Sequence, residues 1–329
     1  MIILKNNSSF ILFILIIFFQ AHSCNTSQSI SSTVKEEIQP LKLSGGSSGM
    51  AKLGDDSYLV VYDIKNFKEG VRLARVKITE EAIQVAPITI SGWGEEGISS
   101  DLESICKITG KTDEYLMAES GNWKGDLGRI FHIQVDTANL SANILGITKL
   151  PFNGINNPES VGDQYEGIST LPYDENNRIL ILAERGGSKV NPGGILRWGI
   201  YNLATHQLNL SESGMKGIEI NAPGNWTDEK RKRDVTDLHI DSKGGIWATA
   251  SEDMSDMGPF YSVIYKIGQV DASNKERPFN IYSNFPKWEA ILGFKVEALS
   301  GPSKGIDCTH SFGTEDEIYG GVWRAISIE

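Results

Sequence analysis

The stretch DQYEGISTL, Asp163 to Leu171, sets a carboxylate, Glu166, at the mouth of an apolar, strand-like run. Four other places have the same form: SGM from Ser48, ESI from Glu103, TDL from Thr236 and EAL from Glu297. Each joins an oxygen-bearing side chain to a large aliphatic two positions on. The first residues of the five lie 55, 63, 70 and 61 residues apart. Recurrence on so even a spacing marks a repeat architecture.

The five units stay alike beyond their starts. A turn rich in Gly, Asp or Asn leads to SYLVVYD, EYLMAES, RILILAER, GIWATASED and, less regularly, CTHSFGTED. A third segment comes next: RLARVKI, RIFHIQV, ILRWGIY, SVIYKIG and GVWRAIS. A fourth, such as AIQVAPITI or PFNIYSN, completes most units. β-Branched and aromatic residues between turn formers are the strand signature, and no long helical periodicity interrupts them. Four short antiparallel strands repeated about an axis make a β-propeller.

The fold class expected is therefore all-β, a five-bladed propeller. Six blades is the alternative if Ser211–Arg233 hides one more. The last unit stops after its third strand, so the missing fourth is expected from EEIQPLKLS, Glu36 to Ser44, which closes the ring without an open edge. One domain then spans 35–329.

The chain has 329 residues, 22% of them charged, with a formal net charge of −11 and pI near 5.1. That balance argues against an extended nucleic-acid surface. At the N-terminus, Lys5 precedes the apolar FILFILIIFF and then QAHSC. This is an export signal over 1–23, too short to be a standard membrane span. Small residues before Cys24 and the polar tract after it, taken here as a linker over 24–34, resemble the lipobox of bacterial lipoproteins. The resemblance implies lipidation of Cys24 and a membrane contact through that anchor alone, on the periplasmic or cell-surface side. Plain secretion is the alternative. Cys106 and Cys308 fall in non-adjacent blades and are expected as two separate buried thiols.

In a propeller the first strand of each blade lines the axis. Ser48, Glu103, Glu166, Thr236 and Glu297 would then converge at one level. Like charges so placed repel unless a cation sits among them, and a set of hard oxygens without His or Cys suits Ca²⁺ rather than zinc. The alternative is that each acid accepts hydrogen bonds from backbone N–H groups of the next blade. The order hydroxyl, Glu, Glu, hydroxyl, Glu resembles the axial calcium ring of the five-bladed calcium-dependent apyrases. That resemblance covers five short motifs and does not extend to the family's nucleotide-handling loops. DLESI, YEGIS, LILAERGG and VWRAI are also similar to exported phytase-like (esterase-like) propellers, over most of the chain. Together the two imply the propeller and the Ca²⁺, and a hydrolytic activity less directly.

If first strands descend from one face, second strands return to it. Their ends, Asp63, Glu119, Glu184 with Arg185, Glu252 with Asp253, and Glu315 with Asp316, form a second acidic circle. Glu119, Glu184, Arg185, Glu252 and Glu315 are the candidate catalytic residues. Loops on that face carry Trp93, Trp123, Trp226 and Trp288, which suit stacking on a sugar or base or else staple the loops down. EKRKR, Glu229 to Arg233, with Lys124 and Arg185, could hold phosphate, although a solvated charge run is the commoner use. Candidate substrate contacts are Lys124, Trp93, Trp123, Trp226, Arg231 and Arg233. Walker, dinucleotide, G-x-S-x-G and H-E-x-x-H motifs are absent, and His132, His206 and His239 sit in strand patterns as packing residues.

These residues suit an exported calcium-dependent phosphoester hydrolase acting as a monomer on a small phosphorylated ligand. A non-catalytic lipoprotein binding a glycan, small anion or protein, and a lactonase-type hydrolase, are the alternatives.

Overall fold

The computed structural model describes residues 41–43, 45–79, 82–121, 128–150 and 164–329. Cys24, the export signal, the linker, Trp123 and Lys124 lie outside them.

Five sheets, antiparallel except at one edge pair, surround one axis. β1 (Leu41–Leu43) is paired with the last strand of the chain. Blade one is β2 (Gly49–Lys52), β3 (Ser57–Val61), β4 (Leu73–Ile78) and β5 (Ile83–Pro87). β6 (Thr89–Ser91) crosses to blade two and runs parallel on its outer strand. Inward from there lie β10 (Ser141–Lys149), β9 (Arg129–Asp136), β8 (Glu114–Glu119) and β7 (Leu102–Lys107). Blade three is β11 (Tyr165–Pro172), β12 (Asn177–Glu184) and β13 (Gly194–Asn202), edged by β14 (Leu208–Asn209) and β15 (Ile218–Ile220). Blade four is β16 (Lys232–Ile240), β17 (Gly245–Glu252) and β18 (Tyr261–Val270), edged by β19 (Phe279–Ile281) and β20 (Trp288–Leu292). Blade five is β21 (Val296–Ser300), β22 (His310–Thr314) and β23 (Gly321–Ile326).

The fold is a five-bladed propeller. The Ser211–Arg233 stretch holds no sixth blade: it carries a one-turn helix, α1 (Glu212–Lys216), and β15, which adds to the outer edge of blade three. The N-terminal closure is as the sequence implied, with Leu41 opposite Trp323 and Leu43 opposite Gly321. Two boundaries differ. AIQVAPITI divides between β5 and β6, which serve different blades, and Trp288 opens β20 opposite Tyr265 instead of lying in a loop.

The central strands are apolar on both faces because each blade is packed between two others. On β8 the side chains alternate, as a period of two requires. Tyr115 and Met117 pack toward blade one with Leu59 and Val61. Leu116 and Ala118 pack toward blade three with Ile168 and Leu180. The same arrangement at each seam gives five apolar cores, one between each pair of neighbouring blades. This is why YLMA and ILILA read as unbroken apolar runs. Cys106 is buried and Cys308 half-buried, and both are free thiols.

Candidate functional site at the axis

In three of the five units the recurring oxygen–x–aliphatic signature is a β-bulge. Leu102 faces Glu119 and Ser104 faces Ala118, so Glu103 between them has no cross-strand partner. Likewise Tyr165 faces Glu184 while Gly167 faces Ala183, which leaves Glu166 unpaired. Val296 faces Thr314 and Ala298 faces Gly313, and Glu297 is the extra residue. In blade four the irregularity is wider, with the register shifting between Arg233 and Asp237 around Thr236. An added residue bends a strand and re-aims a side chain. Here it turns three glutamates out of the ladder and toward the axis at one level.

Glycines let the inner strands meet there. A Cβ on Gly49 would stand 2.8 Å from the Ser104 Cα and 3.0 Å from the Glu103 carbonyl oxygen. One on Gly167 would stand 2.9 Å from Leu238 Cγ. Blades one and two, and blades three and four, therefore touch backbone to backbone at the height of the carboxylates.

The expected ring is only partly a ring. Glu103 and Glu297 come together with Glu315, an oxygen of each lying within 4.8 Å of the others. Glu103 also joins Asp63 and Asp101 on the same criterion. Ser48 precedes Gly49, which packs on the Glu103 backbone, and its hydroxyl is buried without a hydrogen-bond partner. Asp63 Oδ1 is likewise buried without a hydrogen-bond partner, and the buried Asp101 Oδ1 has the Lys65 ammonium 3.6 Å away. Thr236 stands apart from the group: its hydroxyl donates to the Val296 carbonyl at 2.8 Å and meets Thr249 Oγ1 at 2.8 Å, tying blade four to blade five. Glu166 turns to Arg185, whose Nη1 is 3.4 Å from its Oε1. Among the described residues no backbone N–H donates to Glu103, Glu166 or Glu297.

Burial and mutual repulsion shape the charges. Glu103 is pushed well above the usual carboxylate range, first by burial and then by Glu166, Asp101, Asp63 and Glu297. Glu315 is raised by burial and by Glu297. Glu166 is raised to about 7, by burial, against the opposing pull of Arg185. Asp63 is raised by burial and by its contact with Asp101. Two lysines partly offset the negative charge. Lys65 Nζ is 2.9 Å from Asp63 and 3.6 Å from Asp101, and Lys295 Nζ is 3.0 Å from Glu297 and also pairs with Glu317.

The second acidic circle divides. Asp63 and Glu315 join the axial group. Glu119 instead lies in a buried ion pair with Arg129, 2.7 Å from its Nη2, and accepts from the Ser100 and Arg129 amides. Glu184 is paired with Arg197 in the same manner. Glu252 accepts from the Asp228 amide and anchors the loop before β16. The structure thus gives these three carboxylates contacts within their own blades, and among the described residues their oxygens do not join the axial groups.

Of the basic residues, Arg231 is exposed and donates to the Asp253 and Met254 carbonyls, while Lys232 bridges Glu229 and Asp234. Arg233 turns inward. Trp93 packs edge-on against Phe131, with centroids 5.2 Å apart. Trp226 packs on Tyr261 at 4.9 Å and donates to the Ala222 carbonyl. Both staple loops to blade tops. Asp101, Lys65 and Lys295 are the residues that sequence reasoning missed. Asp101 and Lys295 each stand two positions before a bulge glutamate, which was the available signal; Lys65 has none.

One step below the glutamates the axis is crossed. The Asp237 carboxylate of blade four accepts from the Leu299 amide at 2.7 Å, from its neighbour Leu238 at 2.8 Å and from Ser104 Oγ of blade two at 3.2 Å. Below this bridge opens a separate cavity of about 410 Å³, lined by Lys52, Cys106, Thr170, His239, Asp241 and Ser300 among others.

No family model matches the chain, and no curated protein matches it in sequence. Solved structures do resemble it in shape. A thermostable family-43 glycoside hydrolase aligns with TM-score 0.49 at 9% identity, over 89% of this chain and 91% of that one. An endo-arabinase from Bacteroides thetaiotaomicron VPI-5482 aligns at 0.41 and 11%, over 88% and 95%. A putative 6-phosphogluconolactonase from Bacteroides uniformis ATCC 8492 aligns at 0.37 and 10%, over 86% and 88%. At such identities the likeness extends to the fold alone.

Proposed function

We propose that the protein is an exported, calcium-dependent hydrolase of a phosphoester, with its metal and substrate held at the upper end of the propeller axis. One observation carries the reading: Glu103 gathers both with Glu297 and Glu315 and with Asp63 and Asp101, so that carboxylates of three blades crowd together, and the Ser48 hydroxyl is buried without a hydrogen-bond partner. Natural proteins seldom leave buried acceptors unmatched, and several carboxylates at this spacing require a counter-charge. Ser48, Asp63, Asp101, Glu103, Glu297 and Glu315 supply hard oxygens in the number and loose geometry that Ca²⁺ accepts. When bound, such an ion polarises a phosphoryl oxygen and lowers the pKa of a water.

The chain's own residues would do the rest. Lys65 and Lys295 limit the repulsion among the acids, and Glu166, with its raised pKa beside Arg185, is placed to hold or release a proton. The test is hydrolysis of a panel of nucleotides, inositol phosphates, simple phosphoesters and lactones at saturating Ca²⁺. Turnover of a phosphoester that a chelator abolishes is the expected result. Turnover of lactones alone, or of nothing, rejects the assignment.

A second reading is favoured by the contacts of Glu119, Glu184 and Glu252, which engage Arg129, Arg197 and the Asp228 amide within their own blades. In that reading the ion is structural, and the same face binds an anion or glycan without turnover. Tethering through a lipidated Cys24 is compatible with both and is tested by mass spectrometry of the mature N-terminus.

A further inference from the structure

The outer strand of a blade leaves one row of backbone groups open to pairing with another chain. Most outer strands here are blunted. β5 ends on Pro87, β14 has two residues, and β1, β15 and β19 have three each. β10 is capped by β6 and bent by the irregularity between Ile144 and Gly146. β20 has none of these devices: it is five residues long, holds no proline or bulge, and carries one charge, Glu289. Its pairing with β18 is framed by the Lys266 amide donating to the Lys287 carbonyl and the Gly293 amide donating to the Phe260 carbonyl, each at 2.9 Å. Antiparallel bonding alternates along a strand. Glu289 and Ile291 therefore turn their backbone groups to β18, and those of Trp288, Ala290 and Leu292 point outward. Among the described residues no strand pairs with that edge. Trp288, which the axial site does not use, shares a face with Ala290 and Leu292 and is 40% exposed. Leu292 is 73% exposed, the highest value among the large hydrophobic side chains described.

We infer that β20 pairs antiparallel with β20 of a second copy of this chain, centred on Ala290, and joins two propellers edge to edge. In that register Ala290 faces its own equivalent and Trp288 faces Leu292 on either side. These are the positions whose backbone groups point outward, so each facing pair can exchange two hydrogen bonds. Ring meets aliphatic chain twice on one face, and on the other Glu289 meets Ile291, so the charge of the strand is not set against its like. Other registers serve worse. Centring on Glu289 would oppose two carboxylates, and centring on Ile291 would leave Trp288 outside the ladder. A two-fold contact uses up both edges, so assembly closes at the dimer, and the monomer expected from the sequence is its dissociated form. A single short ladder belongs with small, transient interfaces, for which Kd is on the order of tens of micromolar. The inference does not rest on the function proposed for the axis.

Analytical ultracentrifugation of the mature chain, carrying Cys24→Ser to keep lipid out of the measurement, tests this from well below to well above that Kd. A reversible monomer–dimer equilibrium is expected. Ala290→Pro removes an outward amide that β18 does not use, a change that edge strands tolerate. Leu292→Lys sets a charge against Trp288 of the second copy. Each should weaken association roughly tenfold or more, whereas Leu145→Lys, on the outer strand of blade two, should stay within about twofold. Melting temperatures at low concentration report that blade four is intact in each variant. Hydrogen exchange gives a second readout: the amides of Trp288, Ala290 and Leu292 should gain protection only where the dimer forms, and those of Glu289 and Ile291 should be protected throughout. A chain that is monomeric at every concentration overturns the inference. So does a dimer that both β20 variants leave unchanged, which must use another surface. Dimerisation that begins only when residues 24–34 are removed would give the edge to the chain's own N-terminal segment and overturn it as well.

Discussion

Glu103 belongs to both groups of close carboxylates, so its charge bears most directly on whether a cation is held. In metal-free protein Glu103→Gln removes one buried like charge and should raise the melting temperature. With Ca²⁺ it should erase the ligand's stabilisation, which for wild type is about 2.7 kcal/mol at a hundredfold excess over Kd. Thermal melts with and without Ca²⁺ check both signs, and a variant that still gains fully from Ca²⁺ contradicts the assignment. Elsewhere, burial lowers His239 to about 3 and His310 to about 4, the latter against the ring of Trp247. Both stay neutral in the fold and charge only on unfolding. Stability is therefore retained above the unfolded value near 6.5 and falls as pH drops below it. Between pH 7 and 5, His310→Gln should lose about 2 kcal/mol less than wild type in denaturant melts; parallel profiles would refute this.

At the scale of the strand, the bulge is what makes the site. A regular ladder would send Glu103 to one of the two apolar seams, whereas one extra residue turns it to the axis. The pattern was legible because an unpaired residue is released from cross-strand packing and can be polar inside an apolar run, as in YEGIS. Thr236 shows the limit of that legibility. It carries the same signature, yet a wider irregularity sends its hydroxyl to the Val296 carbonyl. The second-strand acids were legible in position but not in use, because Arg129 and Arg197, which engage Glu119 and Glu184, lie on the third strand, where sequence alone does not show pairing. Close strand approach gives a further expectation. Gly49→Ala would press a methyl onto the Ser104 backbone and should cost about 1–3 kcal/mol. It should weaken Ca²⁺ binding as well, by parting Ser48 from Glu103. Unchanged stability by chemical denaturation would show that the blades can yield there.

At the scale of the molecule, the ring is closed by a strand from the opposite end of the chain. Five seam cores join the blades, and among the described residues β1 covers the outer edge of β23. Deleting Leu41–Leu43 should remove about 2–3 kcal/mol, from a short ladder of backbone hydrogen bonds worth about 1 kcal/mol each. It should also expose an edge that pairs with other copies, giving concentration-dependent assembly by light scattering. A truncated chain that stays monomeric and equally stable would mean that closure is not needed. The repeat, the blade number and the seam were readable from spacing and from the incomplete last unit. The division of the axis was not, since the Ser104–Asp237 bridge joins blades that are neighbours in neither sequence nor ring. That bridge spans the axis between the glutamates and the lower cavity.

Elemental analysis of the purified mature chain, before and after dialysis against chelator and again after Ca²⁺ is restored, addresses the axial oxygens most directly. The arrangement of Ser48, Asp63, Asp101, Glu103, Glu297 and Glu315 predicts tightly held, chelator-removable calcium that Glu103→Gln and Glu297→Gln each abolish. Protein that carries no divalent ion, takes none up, and melts at the same temperature in Ca²⁺ and in chelator would contradict it.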